Sequence, residues 1–164
     1  MKLLALDQST KITGYSVWQD DTLIISSHFD TEIKQNLPFK RMLKAKDIIK
    51  KLIEQYNPDY VVLEDCQYQA NLSTYKQLAT LQGILISLLS EYENITYFIV
   101  PPTTWKSYCG IKGKKRVEQK QDTVEKMSAK FQVELTEDEA DSIGIGLYAV
   151  NYIKNGGILN EKYD

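Results

Sequence analysis

Histidine occurs once in this chain, at His28, and cysteine only twice, at Cys66 and Cys109. The cysteines stand far apart with no C-x-x-C spacing, which argues against a structural zinc site and fits reduced thiols in a cytosolic protein. No base stands at a usable spacing from Ser9 or Thr10, so these hydroxyls are read as turn formers rather than nucleophiles. No run of about 18 apolar residues exists, so nothing in the sequence is expected to span a membrane. The first residues, one lysine and a short apolar run ending at Asp7, do not suit a secretory signal. Repeats, low-complexity segments and linkers are missing. So is an excess of positive charge: 20 Lys and Arg face 22 Asp and Glu, a net charge of −2. What is present is ordinary for a globular domain, 43% hydrophobic and 26% charged residues, which excludes disorder as the main state. A chain of 164 residues is expected to form one domain, residues 1–164, with a core that needs no staples.

The charge is segregated, and that matters more than its sum. From Lys106 to Lys126 seven positive residues (Lys106, Lys112, Lys114, Lys115, Arg116, Lys120 and Lys126) are interrupted by three negative ones. Acids gather elsewhere, notably in "ELTEDEAD". Segregation of this kind lets one face hold a polyanion while a cation site lies beside it. A second basic run, Lys40 to Lys51, interleaves with a helical apolar pattern and reads as a solvated helix face.

Residues 2–8, 12–19 and 22–31 read as three consecutive strands, the first apolar enough to lie mid-sheet. "DD" at 20–21 turns the second into the third, so the three form an antiparallel meander. "NLPFKRMLKAKDIIKKLIEQY" then has helical spacing, with Pro38 in its first turn and "NPD" as its stop. A short apolar strand, 60–66, follows. "NLSTYKQLATLQGILISLLSEY" is the second helix, and Gly83 inside it is expected to mark close packing. "ITYFIV" is the fifth strand, ended by Pro101 and Pro102 and followed by a loop. Helices over 115–131 and 136–155 complete the plan, the last with Thr136 as N-cap and Glu139 at the capping-box position; "GGILNEKYD" is a stop and a frayed end. The order β-β-β-α-β-α-β-α-α predicts an α/β fold, a five-stranded mixed sheet with three antiparallel strands, then two parallel ones, flanked by helices.

Two of the apolar strands end in an acid: Asp7 in "LLALD" and Glu64 in "VVLED". A buried carboxylate is costly unless it lies at a strand mouth or a cation shares it. If the two strands are parallel neighbours, both acids emerge at one sheet edge. Asp138 and Asp141, three residues apart, share one face of the last helix, whose Ala140, Ile143, Leu147 and Val150 turn it against the sheet. Acids at a helix start also complement its dipole. Four converging carboxylates suit a hard divalent cation such as Mg2+. Two such ions fit phosphodiester hydrolysis.

"LLALDQSTKITGYSV" resembles the opening of the RuvC-type Holliday-junction resolvases, in which an apolar strand ends in Asp and a "TGY" turn leads to the second strand. "VVLEDCQYQANLSTYKQLATLQG" resembles that family's segment from its glutamate into a helix. "PPTTWK" with the following Gly- and Lys-rich loop resembles its fifth-strand exit, and "DEADSIGIGLYAV" its final helix. The match runs in order over nearly the whole chain and looks like the bacteriophage branch.

The resemblance implies an RNase H-like fold, with Asp7, Glu64, Asp138 and Asp141 as catalytic, metal-binding acids. It implies Mg2+ as cofactor, with Mn2+ as a substitute. It places basic residues near the scissile phosphate: Lys106, and one lysine among Lys114, Lys115 and Lys120. Lys112, Arg116 and Tyr68 join these as candidate DNA contacts. Where cellular members carry an aromatic wedge after the glutamate, this chain departs, with Gln67 at that position and Tyr68 beside it. The implied activity is Holliday-junction cleavage leaving 5′-phosphates, by a C2 homodimer whose second helix, at Gly83, is the candidate interface, in the cytoplasm of the host cell. Two alternatives stay open: a junction-binding module of the same fold without cleavage, and a broader branched-DNA or flap nuclease. A sugar-kinase-like or actin-like ATPase is disfavoured, since those folds want a glycine after the Asp. Trp105 is read as core packing at a strand end, and His28 as remote from Asp138 and Asp141.

Overall fold

Leu3, Leu4, Ala5 and Leu6 are completely buried, and side chains alternate across a strand, so the first strand must be covered on both faces. A computed structural model, which describes residues 1–32, 37–68 and 71–157, shows how. β1 (Lys2–Asp7), β2 (Ile12–Gln19) and β3 (Thr22–Asp30) form the antiparallel meander; β4 (Tyr60–Glu64) and β5 (Thr96–Val100) add in parallel, in the order β3-β2-β1-β4-β5. The predicted five-stranded mixed sheet is thus present. "TGY" is not a turn: Gly14 lies within β2, opposite Asp7. The expectation for residues 158–164 lies outside the described residues.

One face of the sheet, with Leu4, Leu6, Val17, Val61 and Leu63, packs on α1 (Pro38–Tyr56) and α2 (Leu72–Leu89). The opposite face, with Leu3, Ala5, Trp18 and Val62, packs on α5 (Glu137–Lys154), with α3 (Pro102–Tyr108) and α4 (Arg116–Phe131) beside it. Each fully buried aliphatic side chain contributes about 1.5–3 kcal/mol, and those of β1 divide between two cores.

Helix ends follow local chemistry. Pro38 begins α1, Asn57 ends it in the left-handed conformation at φ 45°, and the Thr136–Glu139 capping box starts α5 as predicted. α3 is a correction: the prolines after β5 do not open a loop. Pro102 takes the first helical turn, where its missing N–H costs nothing. β4 ends at Glu64 rather than residue 66, and α2 at Leu89 rather than Tyr92. Within the chain Gly83 makes no close approach, since a Cβ there would meet nothing within 4 Å. The close approaches are on α5, where a Cβ at Gly144 would overlap the Trp105 ring and one at Gly146 the indole of Trp18. In the basic run of α1 the lysines are exposed or half-buried as expected, but Arg41 is buried.

Candidate active site

The alternation that buries Leu3 and Ala5 against α5 sends Asp7 to that same face, and Val62 does the same for Glu64. The register Leu6↔Leu63 sets these acids side by side, one step further along. Gln8 fixes that alignment. Its Oε1 accepts from the Glu64 N–H at 3.1 Å, and its amide Nε2 donates to the Glu64 carbonyl. α5 supplies the other two acids. All four line one cleft of about 840 Å3, at the C-terminal ends of β1 and β4, together with Lys106, Arg116 and Lys120.

Other predicted DNA contacts lie elsewhere. Lys112, Lys114 and Lys115 are exposed and outside the cleft. Their backbone N–H groups, bound to Asp122 and Glu118, shape the loop before α4. Tyr68 is 65% exposed and stands edge-on to Tyr75 at 5.7 Å, and Tyr75 itself lines the cleft, as does Gln67.

The acids disfavour one another's ionisation. Burial, then Glu64, Asp141 and Asp138, hold the Asp7 carboxyl well above the usual range. Burial pushes Glu64 up to about 7, against the Trp105 indole that donates to it, and with Asp141 adding to the rise. Asp141 is likewise raised by burial, to about 6, with Lys106 and Lys120 opposing. Burial works against the charge on Lys120, but a 2.6 Å hydrogen bond to Glu137 and the fields of Asp141 and Asp138 outweigh it and raise its pKa. For carboxyls raised in the folded state, the stabilising contribution is full below the unfolded value near 4 and is lost as pH rises through the folded one. The metal-free protein is therefore expected to lose on the order of 2 kcal/mol between pH 5 and 8, after a discount for water access. Thermal unfolding in a chelator should show a midpoint several degrees lower at the higher pH.

Among the described residues no three Asp, Glu, His or Cys side chains already converge as ligands of one ion. The donor set nevertheless fits a hard divalent cation in kind. All four groups are carboxylates, and Asp141 Oδ1 is buried without a hydrogen-bond partner. An orphaned carboxylate oxygen among repelling acids is relieved by a cation that takes oxygen ligands.

Three supporting residues escaped the sequence reading. Trp105 is core, as expected, yet its Nε1–H also donates to Glu64 Oε1 at 2.8 Å. His28, read as remote, lies opposite Gly14 in the sheet, with its Nδ1 3.0 Å from Glu139 Oε1. Burial raises the Glu139 carboxyl, but hydrogen bonds from Thr136 and His28 outweigh it and hold it below the usual range. Arg41 reaches the cleft from α1. Only a known strand register could have paired residues 28 and 139. Both cysteines are free; Cys66 lines the cleft, and burial raises its thiol and pushes that of Cys109 up to about 11.

Comparison with known proteins adds three kinds of likeness. The model of a protein family described as Lactococcus phage M3 protein matches residues 1–154. The crossover junction endodeoxyribonuclease RuvC of Dictyoglomus thermophilum is 24% identical over 156 residues, covering 93% of this chain and 96% of that protein. Among solved structures, RuvC of T. thermophilus in complex with a Holliday junction substrate superposes with a TM-score of 0.77 at 12% identity, over 96% of this chain and 98% of that one. The Fowlpox virus resolvase, solved with Holliday junction DNA, superposes with a TM-score of 0.67 at 17% identity, over 93% and 99%. The chain therefore resembles RuvC and viral resolvases, and its fold is theirs.

Proposed function

The chain belongs to the family described as Lactococcus phage M3 protein, and we propose that it is a divalent-cation-dependent endonuclease that cuts branched DNA, Holliday junctions above all. The observation that carries this reading is one cleft lined by Asp7, Glu64, Asp138 and Asp141 from three elements, with Lys106, Arg116 and Lys120 on its wall. The names of its relatives and the junction DNA bound to its structural neighbours point the same way.

In this reading the four acids hold Mg2+, or Mn2+ in its place. Bound ions of this kind activate water and stabilise the leaving oxygen in phosphodiester hydrolysis, and a pair of them does both. Gln8 and Trp105 keep Glu64 in place, and the Glu139–His28 pair braces the start of α5. Lys106 and Lys120 orient the scissile phosphate. Lys120 keeps its proton because Glu137, Asp141 and Asp138 favour its charged form. Lys112, Lys114 and Lys115, outside the cleft, meet the flanking backbone, and Tyr68 stacks at the branch. The products carry 5′-phosphates. Two symmetric cuts require two sites, hence a C2 homodimer. The α1–α2 layer offers it exposed apolar side chains, among them Phe39 at 70% and Leu72 at 53% exposure. Among the described residues no helix is long and apolar enough to cross a membrane. The free thiols suit the reducing cytoplasm of a host cell.

A junction-binding module without cleavage is the second reading, and the complete acid set speaks against it, since a pure binder gains by losing negative charge beside phosphates. Four-way, three-way and flap DNAs incubated with Mg2+, with the cut sites mapped, test both. Paired symmetric cuts in the four-way junction are expected. Binding without any cut would leave only the module, and preferential flap cleavage would make it a broader branched-DNA nuclease.

A further inference from the structure

Arg41 is unlike the other basic residues of α1. It is only 9% exposed, and its Nε is buried without a hydrogen-bond partner among the described residues. A guanidinium removed from water in this way is costly unless an anion or a set of acceptors meets it. The side chain nevertheless lines the cleft that holds the acids. It enters from the α1–α2 layer, where its neighbour Met42 packs under the Leu4 and Leu6 face of the sheet. Lys106, Arg116 and Lys120 enter from the other layer, where Trp105 and Met127 pack under the Leu3 and Ala5 face.

The cleft therefore carries cations from both layers, with the carboxylates at the strand ends between them. The α3–α4 cations have work within the protein. Lys120 is paired with Glu137, and Lys106, Lys120 and Arg116 ease the repulsion among the acids. Arg41 is buried at the cleft with a donor to spare. A planar fork of N–H donors matches the oxygens of a phosphodiester better than any other side chain does. A nucleic-acid strand offers such a group at every nucleotide, so one lying across the acids presents phosphates to both walls.

We propose that Arg41 binds a backbone phosphate of the DNA strand held in the cleft, next to the scissile one and on the α1–α2 side. This rests on the nuclease reading above. It adds a fixed contact from a layer that the basic loop before α4 does not reach, so the strand is gripped on both sides of the acids.

The test measures binding of a synthetic four-way junction with Ca2+ replacing Mg2+, across a salt series, for the wild type, Arg41→Gln and Arg41→Lys. Thermal unfolding serves as the control for folding. Arg41→Gln is expected to weaken binding about tenfold and to lower the slope of log affinity against log salt by about one. Arg41→Lys keeps the charge and should keep the slope, with an intermediate affinity. In Mg2+ the loss should fall on KM more than on kcat. Wild-type affinity and slope in a folded Arg41→Gln protein would overturn the assignment, as would weaker binding at an unchanged slope. Should Arg41→Gln fail to fold, Arg41→Lys decides: reduced affinity supports the contact, and wild-type affinity removes it. Wild-type protein that binds the junction but never cuts it in Mg2+ would defeat the nuclease reading and leave the Arg41 contact standing on its own data. Wild-type protein that does not bind at all would defeat both.

Discussion

Asn in place of Asp7 is expected to lower junction cleavage in Mg2+ by at least about a thousandfold and, in the same protein, to raise the thermal midpoint of the metal-free form at pH 8. The two effects have one cause. Asp7 ends a strand whose preceding four residues are wholly buried, and burial, Glu64, Asp141 and Asp138 all oppose its ionisation. Above its folded pKa that opposition is a cost of the native state alone, because the unfolded chain ionises freely. Asn keeps the shape and removes the charge. The gain in midpoint should be about 2–6 °C at pH 8. It should vanish near pH 4, where the native carboxyl is already protonated. Junction binding in Ca2+ should remain measurable, since the cations of the cleft are untouched. Cleavage assays, calorimetry at both pH values and a binding titration check the three parts. Cleavage at the wild-type rate would remove Asp7 from the chemistry. A midpoint that falls at pH 8 would mean that Asp7 holds the fold together, and the repulsion among the acids would then be the wrong account of its burial.

The same trade of stability for charge made the site legible in the sequence. An acid at the end of an apolar run is anomalous alone, and Glu64 repeats the anomaly. Period-two alternation and the parallel β1–β4 pairing were enough to bring Asp7 and Glu64 to one edge. The Thr136 capping box fixed where α5 starts, and with it the placement of Asp138 and Asp141. What could not be read was whatever depends on contact between elements distant in the chain. The indole N–H of Trp105 reaches Glu64 across 41 residues, and His28 reaches Glu139 across 111. Neither has a local signal. Arg41 looked like one more basic residue on an amphipathic helix, and only its burial sets it apart. α3 was missed for the opposite reason. Pro101 and Pro102 are a local signal for two outcomes, a break and a helix start, and only the packing of Trp105 against α5 selects the second. Gly83 has no close neighbour within the chain; a helical glycine packed inside its own fold and one facing outward look alike in sequence.

The last point has a direct test. Gly14→Ala is expected to cost about 2–3 kcal/mol and to lower cleavage about a hundredfold, whereas Gly83→Ala should be neutral or stabilising by about 0.5–1 kcal/mol. Gly14 lies in β2 directly opposite Asp7. A Cβ at that position would overlap the carbonyl carbon and oxygen of Asp138. These are backbone atoms in the first turn of a capped helix, so they cannot rotate away as a flexible side chain would. The sheet and the start of α5 must separate instead, and that start carries Asp138 and Asp141. A shift of about 1 Å in a reacting group is enough for a hundredfold loss. The stability cost should appear as a midpoint lower by about 4–12 °C. At Gly83 the added methyl would meet nothing within 4 Å, so only the gain in helix propensity remains. Unfolding midpoints and cleavage rates for both variants separate the two glycines. If Gly14→Ala cuts junctions as fast as the wild type, the close seating of α5 on β2 does not set the positions of its acids.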